Sequence, residues 1–88
     1  MEKEYYLISF ESTHYAMMLE KILKAKYEVD LIPTPREITA SCGLSLKIKM
    51  SIFEDVKKTL KEVKIDSRMV ALYKVDRREA IAIVEQIY

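Results

Sequence analysis

The residues that could do chemistry in this chain are concentrated in one stretch, residues 31–44. It contains both prolines, the only glycine and the only cysteine of the 88 residues. The prolines fix the local backbone, and Gly43 permits backbone angles that residues with a Cβ avoid. Cys42, which lies between Ser41 and Gly43, is the single good nucleophile, because its thiolate reacts readily. The stretch is therefore predicted to be a rigid surface loop that presents one thiol.

The first part of the chain has the pattern of a strand followed by a helix. Residues 5–10 are rich in β-branched and aromatic side chains, and residues typical of a helix start follow at 11–14. From residue 15 to 23, apolar side chains recur at three- and four-residue spacing, which is typical of an amphipathic helix. A short second strand is predicted at 29–32, since the prolines that follow cannot donate a hydrogen bond to a sheet.

The second part adds two strands and a helix. Residues 44–50 alternate apolar and polar side chains, which predicts a third strand with one face in water. Residues 51–54 resemble a capping box that starts a second helix, and residues 68–75 have the composition of a fourth strand. The order β-α-β-β-α-β predicts an α+β domain of the ferredoxin-like type, with two helices on one face of a four-stranded antiparallel sheet.

Residues 76–88 extend beyond this basic fold. The ferredoxin-like domain is predicted to span residues 1–75, and residues 76–88 are expected to form a helical extension of the same domain. A second sequence that resembles a capping box begins at Asp76, and the apolar residues from Ala80 to Tyr88 would form one face of a short C-terminal helix. An exposed apolar face is costly, so a homodimer through this helix or through the open sheet face is compatible with the sequence.

The predicted topology places the thiol beside the start of the first helix. The end of the first strand and the start of the third lie at the same end of the sheet, so Cys42 should face residues 11–14. A helix N-terminus carries about half a positive charge, which favours an adjacent thiolate. Arg36, and His14 when it is protonated, would act in the same direction, and Gly43 would let an incoming group approach the sulfur.

Composition and charge exclude some partners. The 15 basic side chains nearly balance the 14 acidic ones, and a formal net charge of +1 gives no overall field that would gather nucleic acid or anionic lipid. The N-terminal sequence lacks a basic region before an apolar run, and no stretch of about 18 apolar residues occurs. A lone cysteine forms no internal disulfide, which fits a reducing compartment. The prediction is a cytoplasmic protein that binds neither nucleic acid nor membrane.

Other interpretations of the thiol were weighed on the same residues. A metal site would combine Cys42 and His14 with Glu11 or Glu37, but structural zinc sites usually take four ligands that are largely Cys and His. A thiol hydrolase would use His14 as the base, in a small domain with no evident substrate cleft. An unpaired cysteine is also often a small buried core residue. No metal and no cofactor are expected, and RNA binding is unsupported because the third strand lacks stacking aromatics.

Two segments resemble a known family. They are residues 6–14, with Ala16 and Glu20 behind them, and residues 31–44, and the likeness extends over about residues 5–75. Both segments resemble the family of selenium/sulfur (Se/S) carrier-like proteins. The resemblance implies that Cys42 carries sulfur or selenium as a persulfide or selenosulfide, with the turn at residues 12–14 beside it.

What the resemblance implies is a protein that is handed between enzymes and is not itself an enzyme. Its partners would be a cysteine desulfurase-like donor and a sulfur or selenium acceptor enzyme. The competing hypothesis is a non-catalytic adaptor domain that docks on a partner enzyme through the open sheet face or the C-terminal helix, with the cysteine incidental. In the carrier hypothesis the cargo lies on Cys42, and the residues that tune and expose the thiol are Ser12, Thr13, His14, Arg36, Ser41 and Gly43.

Overall fold

Two helices and one antiparallel sheet arise from the periodicities of the sequence. The computed structural model describes residues 4–36, 38, 42–63, 66, 68–76 and 83–86, the last segment by its backbone alone. The elements are β1 (Glu4–Phe10), α1 (Thr13–Lys24), β2 (Asp30–Pro33), β3 (Leu44–Lys49), a 3₁₀ turn (Met50–Ile52), α2 (Phe53–Glu62), β4 (Val70–Asp76) and β5 (Ile83–Gln86).

The sheet has the strand order β2-β3-β1-β4-β5, and every neighbouring pair is antiparallel. The α+β class is thereby confirmed, with two helices and the antiparallel strands β2-β3-β1-β4. A fifth strand makes the order differ from that of a simple four-stranded sheet. The finer ferredoxin-like assignment therefore stays a prediction, as do the domain boundaries.

The helices cover one face of the sheet. Helix α1 begins at Thr13, because the hydroxyl of Ser12 accepts a hydrogen bond from the N–H of Tyr15 at 3.3 Å. Its buried residues follow the helical period, and together with those of α2 they pack on the apolar residues of the strands. Within the described part of the chain, no helix is both long and apolar enough to cross a bilayer. The buried helix residues are Ala16, Leu19, Leu23, Phe53, Val56, Thr59 and Leu60.

The capping box predicted for the second helix is wrong. Helix α2 begins at Phe53, after the 3₁₀ turn, and no side chain caps it. Phe53 is buried and its ring stacks on Tyr6, with centroids 3.5 Å apart. We attribute the later start to this contact, because it draws the first residue of the helix into the core while Ser51 stays exposed in the turn.

The C-terminal helix is also wrong where the structure describes it. Residues 83–86 form β5, which pairs with β4 from Tyr73↔Gln86 to Asp76↔Ile83, whereas residues 77–82, 87 and 88 lie outside the described part of the chain. A short apolar run with β-branched residues fits a strand as well as a helix. The outer edge of β4 decides between them, since its backbone groups gain partners from β5.

The second face of the sheet, expected to be open, is covered at its centre. Leu7 of β1 and Val75 of β4 are both 0% exposed, and with Tyr5 they form a second buried cluster. Ile38, from the segment after β2, belongs to this cluster and is 6% exposed. Its N–H donates to the carbonyl of Pro35 at 3.0 Å. Apolar residues on this face thus gain a cover from the same segment that carries the thiol.

Candidate functional site

The thiol lies where the sheet meets the start of α1. Cys42 stands two residues before β3, and its N–H donates to the carbonyl of Phe10, the last residue of β1, at 3.2 Å. Its sulfur is 3.7 Å from the hydroxyl of Thr13, the first residue of α1. The structure therefore places the thiol at the helix start, as the topology predicted.

Two hydrogen-bonding groups converge on the Cys42 sulfur. The backbone N–H of Leu44 donates to Sγ at 3.4 Å, while the Thr13 hydroxyl and the thiol can each donate to the other. Once the thiol has lost its proton, both groups can donate to it. Hydrogen bonds of this kind favour negative charge on the acceptor. The arrangement can therefore stabilise a thiolate.

The expectation of a thiol presented at the surface is wrong. Cys42 is 4% exposed and belongs to the main core cluster, with Phe10, Ala16 and Leu46 among its members. The turn residues around it mark a loop correctly but do not say which way a side chain points. The thiol faces inward because a small, weakly polar side chain fills space in the core at little cost.

The other residues that were predicted to tune the thiol differ in how they are placed relative to the Cys42 sulfur. Ser12 caps α1, so its hydroxyl points at Tyr15 and not at the sulfur. His14 is exposed and its ring meets that of Tyr15 edge-on, with centroids 6.3 Å apart. Arg36 is exposed, and among the described residues neither His14 nor Arg36 bonds to Cys42. Ser41 lies outside the described residues.

Gly43 does not require the backbone freedom that the sequence suggested. Its φ lies outside the positive range that favours glycine, and a Cβ built there would meet no atom within 4 Å. No crowding therefore demands glycine at this position.

Two residues at the site were missed by the sequence analysis. The hydroxyl of Thr34 donates to the carbonyl of Cys42 at 3.2 Å and lies 2.7 Å from the hydroxyl of Ser45. The N–H of Thr34 also donates to the carbonyl of Gly43, at 2.9 Å. A signal was present, because a threonine between two prolines is the one residue of the triplet that can donate from its backbone. Ser45 was assigned to a wet strand face but is fully buried.

A metal site gains no support from the described residues. No group of three or more His, Cys, Asp or Glu side chains there is arranged to hold an ion. Glu37, which that hypothesis named with Glu11, lies outside the described part of the chain.

Comparisons with known proteins place the chain in a family. A family model described as "Putative Se/S carrier protein-like" matches residues 5–71, which include all of β1 but Glu4, the helix α1 and the thiol. A curated protein of Methanocaldococcus jannaschii, itself described as uncharacterised, is 41% identical over 44 residues, which are 50% of this chain and 22% of that protein. The matched segment thus spans about a fifth of the relative's length. No solved structure matches the chain significantly. Because the family model covers most of its residues, the chain belongs to the Se/S carrier protein-like family.

Proposed function

We propose that this protein carries sulfur or selenium on Cys42, as a persulfide or selenosulfide, for transfer between enzymes. The observation that supports this most is the position of the sulfur between the Thr13 hydroxyl and the Leu44 N–H. Both groups can donate to a thiolate at Sγ, which is the form that attacks a sulfur donor. Membership of the Se/S carrier protein-like family supports sulfur or selenium as the class of cargo.

Loading is an exchange between two sulfur compounds. The Cys42 thiolate attacks the outer sulfur of a persulfide on a donor enzyme of the cysteine desulfurase type. The S–S bond of the donor persulfide breaks, a new S–S bond forms at Cys42, and the donor thiolate leaves. The exchange consumes no oxidant or reductant, and an acceptor enzyme reverses it. With selenium as cargo, the outer atom is selenium, and the protein acts as a substrate for both enzymes.

The cysteine content suits a carrier. A second nearby thiol would attack the persulfide and release the cargo as an internal disulfide is formed. The sequence contains one cysteine, so the chain offers no such thiol. We also propose that the protein works in the cytoplasm, where reducing conditions keep a lone thiol available.

We interpret the unit from β1 to β4, with its two helices, as ferredoxin-like, and β5 as an addition at one edge. The succession of elements and the antiparallel pairing support this interpretation. Its relevance to the carrier lies in one property of the topology. The end of β1 and the segment that enters β3 meet beside the start of α1, which brings Thr13 to the thiol.

Loading can be tested with a cysteine desulfurase, cysteine and the whole protein. Intact-mass analysis should show the gain of one sulfur atom, removable by dithiothreitol and absent from Cys42→Ser. Selenocysteine and a selenocysteine lyase test the selenium cargo in the same way. If the protein stays unloaded while a small-molecule thiol in the same mixture accepts sulfur, the carrier proposal is wrong.

One observation favours a second candidate, the non-catalytic adaptor. Cys42 is 4% exposed in the core, which is where a cysteine without chemical function would lie. The two hypotheses separate on Cys42→Ser. A carrier loses sulfur or selenium transfer and keeps its binding to partner enzymes, whereas an adaptor keeps its function in the cell.

A further inference from the structure

We infer that the outer face of helix α1 is the surface on which the enzyme that loads the thiol docks, and that this enzyme presents an acidic surface with one apolar contact. The outer face is the set of α1 residues that are exposed. The identity of the partner as a sulfur or selenium donor rests on the proposed function, whereas the chemistry of the surface does not. The members of the outer face are Thr13, His14, Met17, Lys21 and Lys24.

The outer face begins beside the thiol. Thr13 is its first member, and the Thr13 hydroxyl lies 3.7 Å from the Cys42 sulfur. At ~3.6 residues per turn, all members of the outer face fall within an arc of about 100° around the helix axis. Lys21 stands about 12 Å along the axis from Thr13. A partner that covers the outer face therefore has one contact beside the thiol and a second one two turns away.

The outer face carries positive charge. The one acidic residue of the helix, Glu20, is half-buried and pairs with Lys24 at 3.2 Å. Among the residues that the structure describes, Lys21 has no ion-pair partner, so its charge is available to another molecule. Exposed Glu11 precedes the helix and exposed Lys26 follows it, and these two charges offset each other. Charge complementarity therefore favours an acidic partner.

Helix α2 does not share this property. Its exposed charged residues have both signs, and they are Glu54, Asp55, Lys58, Lys61 and Glu62. An acidic partner would meet its own sign on α2. The two helices thus differ in the partner that their exposed sides would accept.

Met17 gives the outer face its apolar contact. It is 59% exposed, the highest value of any large apolar side chain in the described part of the chain. A flexible thioether adapts to irregular surfaces and is common where proteins bind one another. A second copy of this chain would bring lysines together at the outer face, which is unfavourable. A bilayer is also disfavoured, because the apolar side of α1 is packed in the core and cannot enter lipid.

The test is the loading of the whole protein by a cysteine desulfurase from the organism that encodes it. Intact-mass analysis over a range of carrier concentrations gives KM and kcat separately. Lys21→Glu should raise KM about tenfold and leave kcat unchanged, because an exposed charge acts on the encounter and not on the reacting sulfur. Met17→Ala should raise KM about fivefold through loss of the apolar contact. Added salt should raise the KM of the wild type.

Lys58→Glu is the matched control. Lys58 is exposed on α2, and its replacement changes the net charge by the same amount as Lys21→Glu does. Lys58→Glu should leave KM unchanged, and so should Lys21→Arg, which keeps the charge on the outer face. The inference is overturned if Lys21→Glu and Lys58→Glu raise KM equally, or if neither raises it.

A binding measurement distinguishes failure of this inference from failure of the proposed function. If the wild type is not loaded, calorimetric titration of the desulfurase with the protein decides. Binding that Lys21→Glu weakens would support the outer face and refute the carrier proposal alone. Absence of binding would overturn both. Binding to phosphatidylglycerol vesicles in place of the enzyme, lost in Lys21→Glu, would assign the outer face to a membrane and overturn the inference.

Discussion

The Thr13 hydroxyl and the Leu44 N–H reach the Cys42 sulfur from different elements, the start of α1 and the start of β3. The backbone donor is fixed by the strand, so substitution can test only the hydroxyl. Thr13 is exposed and caps nothing, and its replacement should leave the helix intact. Substitution of Thr13 therefore tests whether its hydroxyl stabilises negative charge on the Cys42 sulfur.

Thr13→Val should slow the loading of sulfur onto Cys42 about threefold, because the attacking sulfur loses one hydrogen bond of about 0.7 kcal/mol. Intact-mass analysis over time, at a fixed concentration of cysteine desulfurase, measures the rate. Thr13→Ser serves as the control, and equal loading rates for Thr13→Val and the wild type would show that the hydroxyl does not assist the sulfur.

Gly43→Ala should fold normally. The φ of Gly43 is not in the positive range, and the space for a Cβ is empty. The change should therefore leave the free energy of unfolding unchanged or raise it by up to about 1 kcal/mol. Urea unfolding measures it, with Ala71→Gly in β4 as a control that should be destabilised. A loss greater than about 1 kcal/mol in Gly43→Ala would mean that the position needs glycine after all.

At this scale, sequence reasoning found the nucleophile and the helix start but not the environment of the sulfur. Residue type identifies Cys42, and topology brings it to Thr13, since strand ends that share one end of a sheet are close whatever their side chains. Burial depends on side-chain direction in an irregular loop, for which no period exists. Thr34 was missed for the same reason, because its bonds join residues that only the folded loop brings together.

At the scale of the elements, the connection from α2 to β4 contains an ion pair between Asp66 and Arg68. The guanidinium of Arg68 binds the Asp66 carboxylate through Nε at 3.1 Å and Nη2 at 2.9 Å, and the N–H of Arg68 adds a third bond at 2.9 Å. These hydrogen bonds to Arg68 hold the pKa of Asp66 below its ordinary value of 3.8. The pair is exposed, so its contribution to stability is small and sensitive to salt.

Arg68→Gln should raise the pKa of Asp66 toward 3.8. Because the folded-state pKa is depressed, the stabilisation is present above the unfolded value and is lost as pH falls through the folded value. An NMR titration of the Asp66 side chain measures the shift. Lys57→Gln, which removes the 3.8 Å pair with Glu54, is the control and should leave Asp66 unchanged. An unchanged pKa in Arg68→Gln would contradict the assignment of the shift to Arg68.

The helices and strands were predicted best where a periodic pattern continued over many residues or where apolar and polar residues alternated regularly. Helix α1 and strand β3 lie close to their predicted ranges, since three or more repeats of one period leave little ambiguity. The C-terminal segment was wrong because four paired residues are too few to distinguish the two periods. What decided its structure was the free edge of β4, a feature of the assembled sheet and not of the segment.

At the scale of the whole molecule, the sheet is buried at its centre on both sides. Leu7 and Ile8 are neighbours in β1 and point to opposite faces, yet both are 0% exposed. The helices cover one face, and Ile38 contributes to the cover of the other. Ile38 and Cys42 are thus part of the packing of the domain and cannot be displaced without a cost in buried apolar surface.

Loading sulfur on Cys42 should therefore weaken the backbone hydrogen bonds of Thr34 and Cys42. A persulfide places a further sulfur about 2 Å beyond that of a residue that is 4% exposed, and protein interiors are closely packed. We expect the amide of Thr34, bonded to Gly43, and that of Cys42, bonded to Phe10, to lose about tenfold in hydrogen-exchange protection on loading.

Hydrogen exchange of loaded and unloaded protein tests this expectation. The amide of Val63 at the end of α2, bonded to Thr59, is the reference and should not change. Equal protection of Thr34 and Cys42 in both forms would mean that the closed structure accommodates the cargo, and that the burial of the thiol presents no obstacle to it.

Ile38 and Cys42 belong to buried clusters on opposite faces of one sheet. Displacing both residues would uncover apolar surface around Leu7 and Val75 as well as the sulfur. If the protein is a carrier, a partner enzyme can cover that surface while it reacts with the sulfur, whereas a glutathione molecule is too small to do so. Discrimination between a legitimate recipient and a bystander reductant would then depend on the recipient's size and shape, without any need for a selective chemical reaction.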